Sequence, residues 1–137
     1  LARDLFGVDT LTLWGQLKDR TVQYLTALAD RRYHGAEIEK DGKAFVHAPG
    51  RRLPVTELVG RDLDLWYLAL RLTLAEKYSA RARIPVVVED GLTGIVDEPK
   101  LPLLNRMLKH LGTLTQVVHV VGAKRDSQAD EGQSFTV

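Results

Sequence analysis

The sequence predicts a single α/β domain over residues 1–137, with a partial parallel sheet flanked by helices, a β-hairpin and an N-terminal helix. Three observations predict it: apolar residues at helical spacing, alternating polar and apolar residues around Asp41-Gly42, and two unbroken β-branched runs separated by a further helical stretch. The composition agrees, because 45% apolar and 27% charged residues are typical of one globular domain.

The N-terminal residues 1–31 are expected to carry a helix that begins at residue 9. Asp9 or Thr10 can cap its start by accepting hydrogen bonds from free backbone N–H groups. Its apolar stripe comprises Leu11, Trp14, Leu17, Val22, Leu25 and Leu28. Such a helix either continues a coiled coil into the domain or is a plain amphipathic surface helix, and the sequence leaves both open.

The apolar period changes to two between residues 33 and 55, which predicts strands. Asp41-Gly42 lies between two alternating segments and predicts a hairpin, because both positions of such a turn need a positive φ. Ala48-Pro49-Gly50 predicts a second turn. Residues 53–55 are then expected to form a short edge strand, since Pro54 cannot take part in a central ladder.

The middle of the chain is expected to form the buried frame. Residues 63–78 predict a helix that is apolar around most of its circumference and therefore deeply buried. The run over residues 84–88 predicts a central parallel strand that is covered on both faces. A helix over residues 99–111 follows, capped by Asp97 and ended by Gly112.

A second unbroken strand is expected over residues 116–121, which completes a parallel strand–helix–strand unit. His119 inside this strand is interpreted as a partnered structural histidine. Residues 33–123 thus form the core of the domain. Residues 124–137 are a polar tail whose last four residues can add a short strand.

Two acidic residues, Glu89 and Asp90, leave the carboxyl end of the strand predicted over residues 84–88, where α/β sheets place their chemistry. This arrangement suits a phosphate-bound Mg²⁺, because one carboxylate can face the metal or its water while the other faces an attacking water. Two acids that follow a buried strand are more often solvated loop residues, and that interpretation stays open at this point.

Several segments, taken in order, match the sequence pattern of one family of ATPases. They are Leu58-Val59-Gly60-Arg61-Asp62, the helix over residues 66–76, the strand that ends in Glu89-Asp90, Leu92, Asp97-Glu98 and residues 116–118. Together they resemble the C-terminal lobe of ABC-type ATPase heads, in the branch that holds the SMC, RecF, RecN and YhaN-like proteins, over roughly residues 26 to 123. The resemblance implies a signature loop at residues 58–62 that grips the γ-phosphate on a partner subunit, a Walker B strand, a D-loop and a switch position.

The signature and catalytic positions depart from this family pattern. Val59 stands where the family has serine and offers no hydroxyl, and Arg61 stands for the second glycine, where the phosphate needs a bare backbone. Glu89 replaces the Mg²⁺-associated aspartate and Asp90 replaces the catalytic glutamate. Each carboxylate is thereby moved by a methylene, which is enough to disturb catalysis that depends on position.

The D-loop and switch positions have drifted as well. Val96 stands where the D-loop aspartate is expected, although Asp97 lies next to it, and Ala123 stands at the switch histidine. The chain also has no Walker A motif. The resemblance implies this absence for a C-terminal lobe, because the family carries that motif in its N-terminal lobe. The chemical positions have changed while the apolar frame is kept, and this pattern favours a scaffold over a catalyst.

We therefore expect a non-catalytic interaction or dimerisation module derived from an SMC/ABC-type head, with no cofactor for the isolated chain. Its partner is then a second copy, another head-like domain or the N-terminal lobe of the same parent. The alternative is the C-terminal half of a working Mg-ATP-hydrolysing head completed by an N-terminal lobe outside this chain, in which Glu89 positions Mg²⁺ and Asp90 orients water. The chain opens at Leu1 without methionine, which suggests a domain excised from a longer protein.

The charge balance and the cysteine count each exclude a class of protein. Nineteen Lys and Arg against 18 Asp and Glu exclude a strongly basic nucleic-acid module, and the lack of cysteine excludes a disulfide framework. Arg31, Arg32, Arg51 and Arg52 mark a weak candidate surface for DNA phosphates, with a solvated face as the alternative. Neither a membrane span nor a signal peptide is visible, so we expect a cytoplasmic protein without a membrane partner.

Overall fold

The computed structural model describes residues 10–39, 41–79, 81–82, 85–89 and 91–120. They form a mixed α/β protein with helices and two small sheets, one antiparallel and one parallel, which confirms the predicted fold class at this level. The chain divides into two compact units, residues 1–74 and residues 75–137, and the division falls inside a long helix. The single-domain organisation stays a prediction.

Helix α1 of the first unit spans Thr10–Leu28, within the predicted bounds of residues 9–31. It ends at Leu28 because Asp30 and Arg31 have positive φ angles of 51° and 66°, which a right-handed helix excludes. Its cap candidate Asp9 lies outside the described residues, and the coiled-coil continuation stays a prediction. The buried face of α1 carries Leu13, Leu17, Thr21, Tyr24, Leu25 and Leu28.

Strands β1 (Gly35–Ile38), β2 (Ala44–Ala48) and β3 (Arg51–Pro54) form an antiparallel sheet in the order β1-β2-β3. The hairpin predicted from the alternating pattern is confirmed. Ala36 lies opposite Val46 on the buried face of the sheet, and Val46 has no exposed surface. As Pro54 predicts, β3 is an edge strand, because an open edge needs no N–H donor. It begins at Arg51, two residues before the predicted start at residue 53, and ends at Pro54, because Val55 begins a 3₁₀ turn (Val55–Glu57).

The turn between β1 and β2 is longer than expected. The Gly42 N–H donates to the Glu39 carbonyl at 2.9 Å, and the Glu39 N–H donates to the Lys43 carbonyl at 2.8 Å, so three residues close the turn. Gly42 has a φ of 87° while Asp41 does not have a positive φ. The expectation of two positive-φ positions is wrong, because a three-residue turn needs only one. The second turn is confirmed at Pro49-Gly50, whose glycine has a φ of 74°, while Ala48 is the last residue of β2.

Helix α2 spans Arg61–Ser79 and buries one side only. Asp64, Tyr67 and Arg71 form an exposed stripe along it, and Tyr67 is 48% exposed. The prediction of a helix buried around most of its circumference is wrong, because these residues recur at steps of three and four on one solvent face. The buried side carries Leu65, Trp66, Leu68, Ala69, Leu72 and Thr73.

A buried pair of hydroxyl groups joins α1 to α2. The Thr21 hydroxyl donates to Thr73 Oγ1 at 3.2 Å, and the Thr73 hydroxyl donates to the Ala69 carbonyl at 2.9 Å. Both threonines are buried. Because a buried hydroxyl without a partner costs free energy, this relay allows both to lie inside the first unit.

The second unit contains the predicted parallel strand–helix–strand arrangement. Strand β4 (Val86–Val88) pairs in parallel with β5 (Val117–His119), and helix α4 (Leu101–Leu114) precedes β5 and contacts it. A one-turn helix, α3 (Leu92–Ile95), and a 3₁₀ turn (Glu98–Lys100) connect β4 to α4.

Helix α4 continues beyond its predicted end. Gly112 lies inside the last turn, and the helix runs to Leu114 before Thr115 adopts an extended backbone. Gly112 does not end the helix because its φ is not positive, so the left-handed cap that glycine often provides is missing. The buried face of α4 carries Leu104, Leu108 and Leu111.

The prediction that β4 is a central strand covered on both faces is wrong for the described residues. Val87 is 64% exposed, and β5 is the one partner strand described for β4. Val88 lies on the opposite face and is 4% exposed. The pair is therefore covered on one side and open on the other.

Candidate functional site

The signature-like loop, Leu58–Asp62, connects the sheet of the first unit to helix α2. Leu58 anchors it, because its side chain is buried and its N–H donates into the preceding 3₁₀ turn at 3.1 Å. Val59 is 79% exposed. Gly60 has a φ of 55°, and its carbonyl accepts from the Asp64 N–H at 3.1 Å, which begins the helix. The loop thus holds an apolar side chain in solvent at a helix N-terminus.

Asp62 joins the first turn of α2 to the segment between α1 and β1. Its Oδ2 accepts a 2.7 Å hydrogen bond from the Tyr33 hydroxyl. Its Oδ1 lies 2.8 Å from Arg32 Nη1, as an ion pair without the geometry of a hydrogen bond. Arg32 Nε also donates to the Ala29 carbonyl at 3.1 Å, just after the end of α1. The carboxylate therefore has an intramolecular structural role.

The tyrosine in this contact is held in its protonated form. Burial raises the pKa of Tyr33 to about 12, and the hydrogen bond to Asp62 and the Asp62 charge act in the same direction. The charges of Arg32 and Arg51 act against this shift. Tyr33 consequently stays a hydrogen-bond donor through the neutral range.

The N-terminus of α2 presents both signs of charge to an anion. A helix N-terminus attracts an anion through its dipole and its free N–H groups. Asp62 and Asp64 place two carboxylates in this first turn, but Arg61 lies in the same turn and Arg32 is paired with Asp62. Charge alone therefore does not decide for or against a phosphate here, and Val59 supplies no hydroxyl to bind one.

The predicted acidic pair is described in part. Glu89 directly follows β4 and is exposed at the carboxyl end of the parallel strands, whereas Asp90 lies outside the described residues. Glu89 belongs to the second unit and Gly60 to the first. Within the described ranges, no group of three or more His, Asp or Glu side chains is placed to hold a metal ion.

The structure describes the D-loop position but not the switch position. Asp97 occupies the N-cap position of the 3₁₀ turn before α4, but its side chain makes no capping hydrogen bond, so the predicted capping role is wrong. Val96 is buried in the core of the second unit. His119 is exposed, and its interpretation as a partnered structural histidine is wrong. Ala123 lies outside the described residues.

Arg52 is the centre of an ion-pair network on the outer face of the antiparallel sheet. It donates to Glu37 and to Glu39, and its guanidinium carbon lies 3.4 Å from the centroid of the Phe45 ring. The hydrogen bond from Arg52 and, second, the proximity of His47, whose Nε2 lies 3.4 Å from Glu37 Oε1, hold the pKa of Glu37 below its usual range. Arg52 is thereby committed to contacts within its own sheet.

The four arginines of the candidate DNA surface fall into two pairs. All four are exposed, and Arg32 and Arg52 also contact carboxylates of the first unit. Half of the candidate cations are thus already paired inside the molecule, and DNA binding stays a prediction.

The structure also brings together residues that sequence reasoning missed. His34 and His47 have ring centroids 6.1 Å apart, because the His34 N–H donates to the His47 carbonyl at 2.9 Å. The three-residue turn places residue 35 opposite residue 47, whereas the expected two-residue turn would have placed residue 36 there, so no correct signal for this pair was present in the sequence. The contact between Tyr33 and Asp62 had no signal either, because it joins residues from separate elements.

Two exposed valines lie side by side on the parallel sheet. Val87 and Val118 are register partners, so they share one face of the β4–β5 pair, and they are 64% and 36% exposed. We call this surface the valine face. It exposes two neighbouring apolar side chains, whereas the exposed apolar residues of an ordinary protein surface are usually scattered singly.

No protein-family model and no curated protein sequence matches the chain. The likeness to ABC-type heads therefore stays a prediction that rests on the residues quoted above. Of the helices in the described part of the chain, none is both long and apolar enough to span a membrane.

Proposed function

We propose that this chain is a non-catalytic dimerisation module of the cytoplasm, derived from an SMC/ABC-type head, and that two copies meet through the valine face. The observation that carries the proposal is the exposure of Val87 and Val118 on a parallel strand pair. Parallel strands are found almost only in sheets whose two faces are both covered. A partner that covers this face would complete the missing layer.

A second copy of the chain suits this face. Val87 and Val118 are paired across the two strands, so a two-fold axis can bring each valine of one copy onto the other valine of its partner. The net charge of +1 opposes self-association very little. Two valines supply only a small part of the surface that a permanent dimer buries, and we therefore expect a weak, concentration-dependent dimer.

The signature-like loop supports the non-catalytic part of the proposal. Its exposed Val59 has no phosphate-binding group, and Asp62 serves the contact with Tyr33. The alternative, a working head that binds Mg-ATP, draws support from the exposed Glu89 at the carboxyl end of β4. The lack of a hydroxyl at Val59 and the hydrogen bond between Tyr33 and Asp62 favour the first proposal over the second.

Sedimentation equilibrium of the full chain, from micromolar to millimolar concentration, tests the proposal. The wild-type chain is expected to dimerise, and Val87→Lys is expected to abolish the dimer, because it places two charges in the apolar contact. Val59→Lys is the matched control, since it adds the same charge at an exposed valine of the first unit and should leave the dimer intact. Val87→Thr keeps the side-chain shape and is expected to weaken the dimer without perturbing the strand.

A wild-type chain that stays monomeric at millimolar concentration would overturn dimerisation. Equal effects of Val87→Lys and Val59→Lys would show that charge, and not the valine face, governs association. Circular dichroism of each variant establishes that the fold is kept.

A further inference from the structure

The valine face carries a carboxylate at the carboxyl end of β4. Along this strand, exposed and covered residues alternate: Pro85, Val87 and Glu89 are exposed, whereas Val86 is half-buried and Val88 is buried. Because the side chains of a strand point to alternate faces, Glu89 lies two positions beyond Val87 on the same face. The exposed apolar surface of β4 therefore ends in a group that is charged at neutral pH.

Strand β5 places no cation beside this carboxylate. The Val120 N–H donates to the Val88 carbonyl at 2.8 Å, so the two strands stay paired as far as the level of Glu89. Of the described residues that the two strands and their flanking positions place on this face, Glu89 alone is charged. These residues are Pro85, Val87 and Glu89 along β4, and Gln116, Val118 and Val120 along β5.

The two-fold dimer proposed above brings two of these carboxylates to one end of the contact. In that dimer each Val87 lies over Val118 of the second copy, so the strands of the two copies run in the same direction. Glu89 then lies over Val120 of the second copy, and the two positions 89 lie diagonally across the contact. With neighbouring strands about 4.8 Å apart and stacked sheets about 10 Å apart, their backbones are about 11 Å from each other. Two glutamate side chains that point into the contact span much of that distance.

Both effects of this arrangement oppose association. Each Glu89 carboxylate loses water when it faces an apolar side chain of the second copy, and a charge that is buried without a partner costs free energy. The two carboxylates also repel each other, and this repulsion grows as water is excluded from the contact. Charged residues that flank an exposed apolar strand commonly limit the association of such strands. The valines favour the dimer, and Glu89 acts against it.

We propose that Glu89 sets the strength of self-association through the valine face, because the Glu89 carboxylates of the two copies meet at one end of the dimer. This inference rests on the proposed function and names the residue that controls it. It assigns the exposed Glu89 to an interface, whereas the alternative of a working Mg-ATP head would assign the same carboxylate to a metal ion.

The first test is the dissociation constant Kd of the dimer, measured by sedimentation equilibrium of the full chain. Glu89→Gln removes the charge and keeps the size of the side chain, so it is expected to lower Kd about ten-fold. Glu98→Gln is the matched control and should leave Kd unchanged. Glu98 is an exposed glutamate of the same unit that belongs to the 3₁₀ turn before α4, and not to β4 or β5.

A charge swap tests whether the two carboxylates meet. In an equimolar mixture of the wild-type chain and Glu89→Lys, the heterodimer pairs a carboxylate with an ammonium group, so its Kd is expected to be about ten-fold lower than that of either homodimer. A mixture of the wild-type chain and Glu98→Lys should show no such gain. Should circular dichroism show that Glu89→Lys has lost its fold, Glu89→Arg introduces the same charge and should give the same gain.

A wild-type dimer whose Kd is the same in Glu89→Gln would overturn this inference and leave dimerisation through the valine face in place. A gain in Glu89→Gln without a gain from the charge swap would also overturn it, because the two carboxylates would then lie at opposite ends of the dimer. A wild-type chain that stays monomeric while Glu89→Gln dimerises would overturn the proposed function and support the inference. Monomers in every variant and mixture would overturn both.

Discussion

The hydroxyl of Tyr33 donates a 2.7 Å hydrogen bond to Oδ2 of Asp62, and this contact ties the first turn of helix α2 to the segment that leads into the antiparallel sheet. The carboxylate of Asp62, in the loop that resembles a phosphate-binding signature, therefore has a structural role. The contact also makes the first unit sensitive to the ionisation of one buried phenol.

Removal of this hydroxyl tests its contribution to stability. Tyr33→Phe is expected to lower the free energy of unfolding by about 1.5 kcal/mol, because a hydrogen bond to a charged group is lost. Urea denaturation measures the change. Tyr67→Phe, at a tyrosine that is 48% exposed, is the control and should change stability by less than about 0.5 kcal/mol. Equal losses of unfolding free energy in the two variants would show that the hydrogen bond between Tyr33 and Asp62 does not stabilise the fold.

Alkaline pH should act on the same contact. The pKa of Tyr33 is raised from 10.0 to about 12 in the folded chain, so its stabilising contribution is fully present below pH 10. As the pH rises from 10 through 12, the phenol of the unfolded chain ionises first and that contribution is lost. The difference in unfolding free energy between the wild-type chain and Tyr33→Phe should therefore shrink across this window, and a constant difference would contradict the shift.

Acidic pH is expected to act on the Arg52 network. The pKa of Glu37 is lowered from 4.5, first by Arg52 and then by His47, so its ionised form stabilises the fold above the ordinary value and that contribution disappears as the pH falls through the folded pKa. NMR titration of the Glu37 carboxyl measures it. Arg52→Gln should raise the midpoint toward 4.5, while Arg51→Gln should leave it in place. An unmoved midpoint in Arg52→Gln would refute the assignment.

The hydroxyl relay between α1 and α2 predicts a non-additive pair of substitutions. Thr73→Val leaves the buried Thr21 hydroxyl without its acceptor and should cost about 2 kcal/mol of stability. The double variant Thr21→Val/Thr73→Val removes both polar groups and should recover part of that loss. Thermal unfolding of the two single variants and the double variant completes the cycle, and strict additivity would show that the hydroxyls act independently.

The features of the fold that depend on local residue types, such as the hairpin turn and the parallel strand pair, could be predicted from the sequence. Gly42 marks the hairpin because a positive φ is cheap only for glycine, and the β-branched runs around Val87 and Val118 mark the parallel pair. The sequence could not predict the end of α1, because Asp30 and Arg31 adopt left-handed backbone angles that neither residue type requires.

The candidate sites divide in the same way. The signature-like loop could be located from its residues, but the contact of Asp62 with Tyr33 joins elements that are distant in the chain. The exposure of Val87 also had no local signal, because an unbroken apolar run is the same whether one face of a strand is covered or both. Only the arrangement of neighbouring elements decides that.

The most direct test of the central claim is a concentration series of ¹H–¹⁵N NMR spectra of the full chain, which maps self-association onto individual amides. Dimerisation through the valine face predicts shifts that grow with concentration at Val86–Val88 and Val117–His119 and that vanish in Val87→Lys. Spectra that do not change with concentration, or shifts that centre on the signature-like loop, would contradict it.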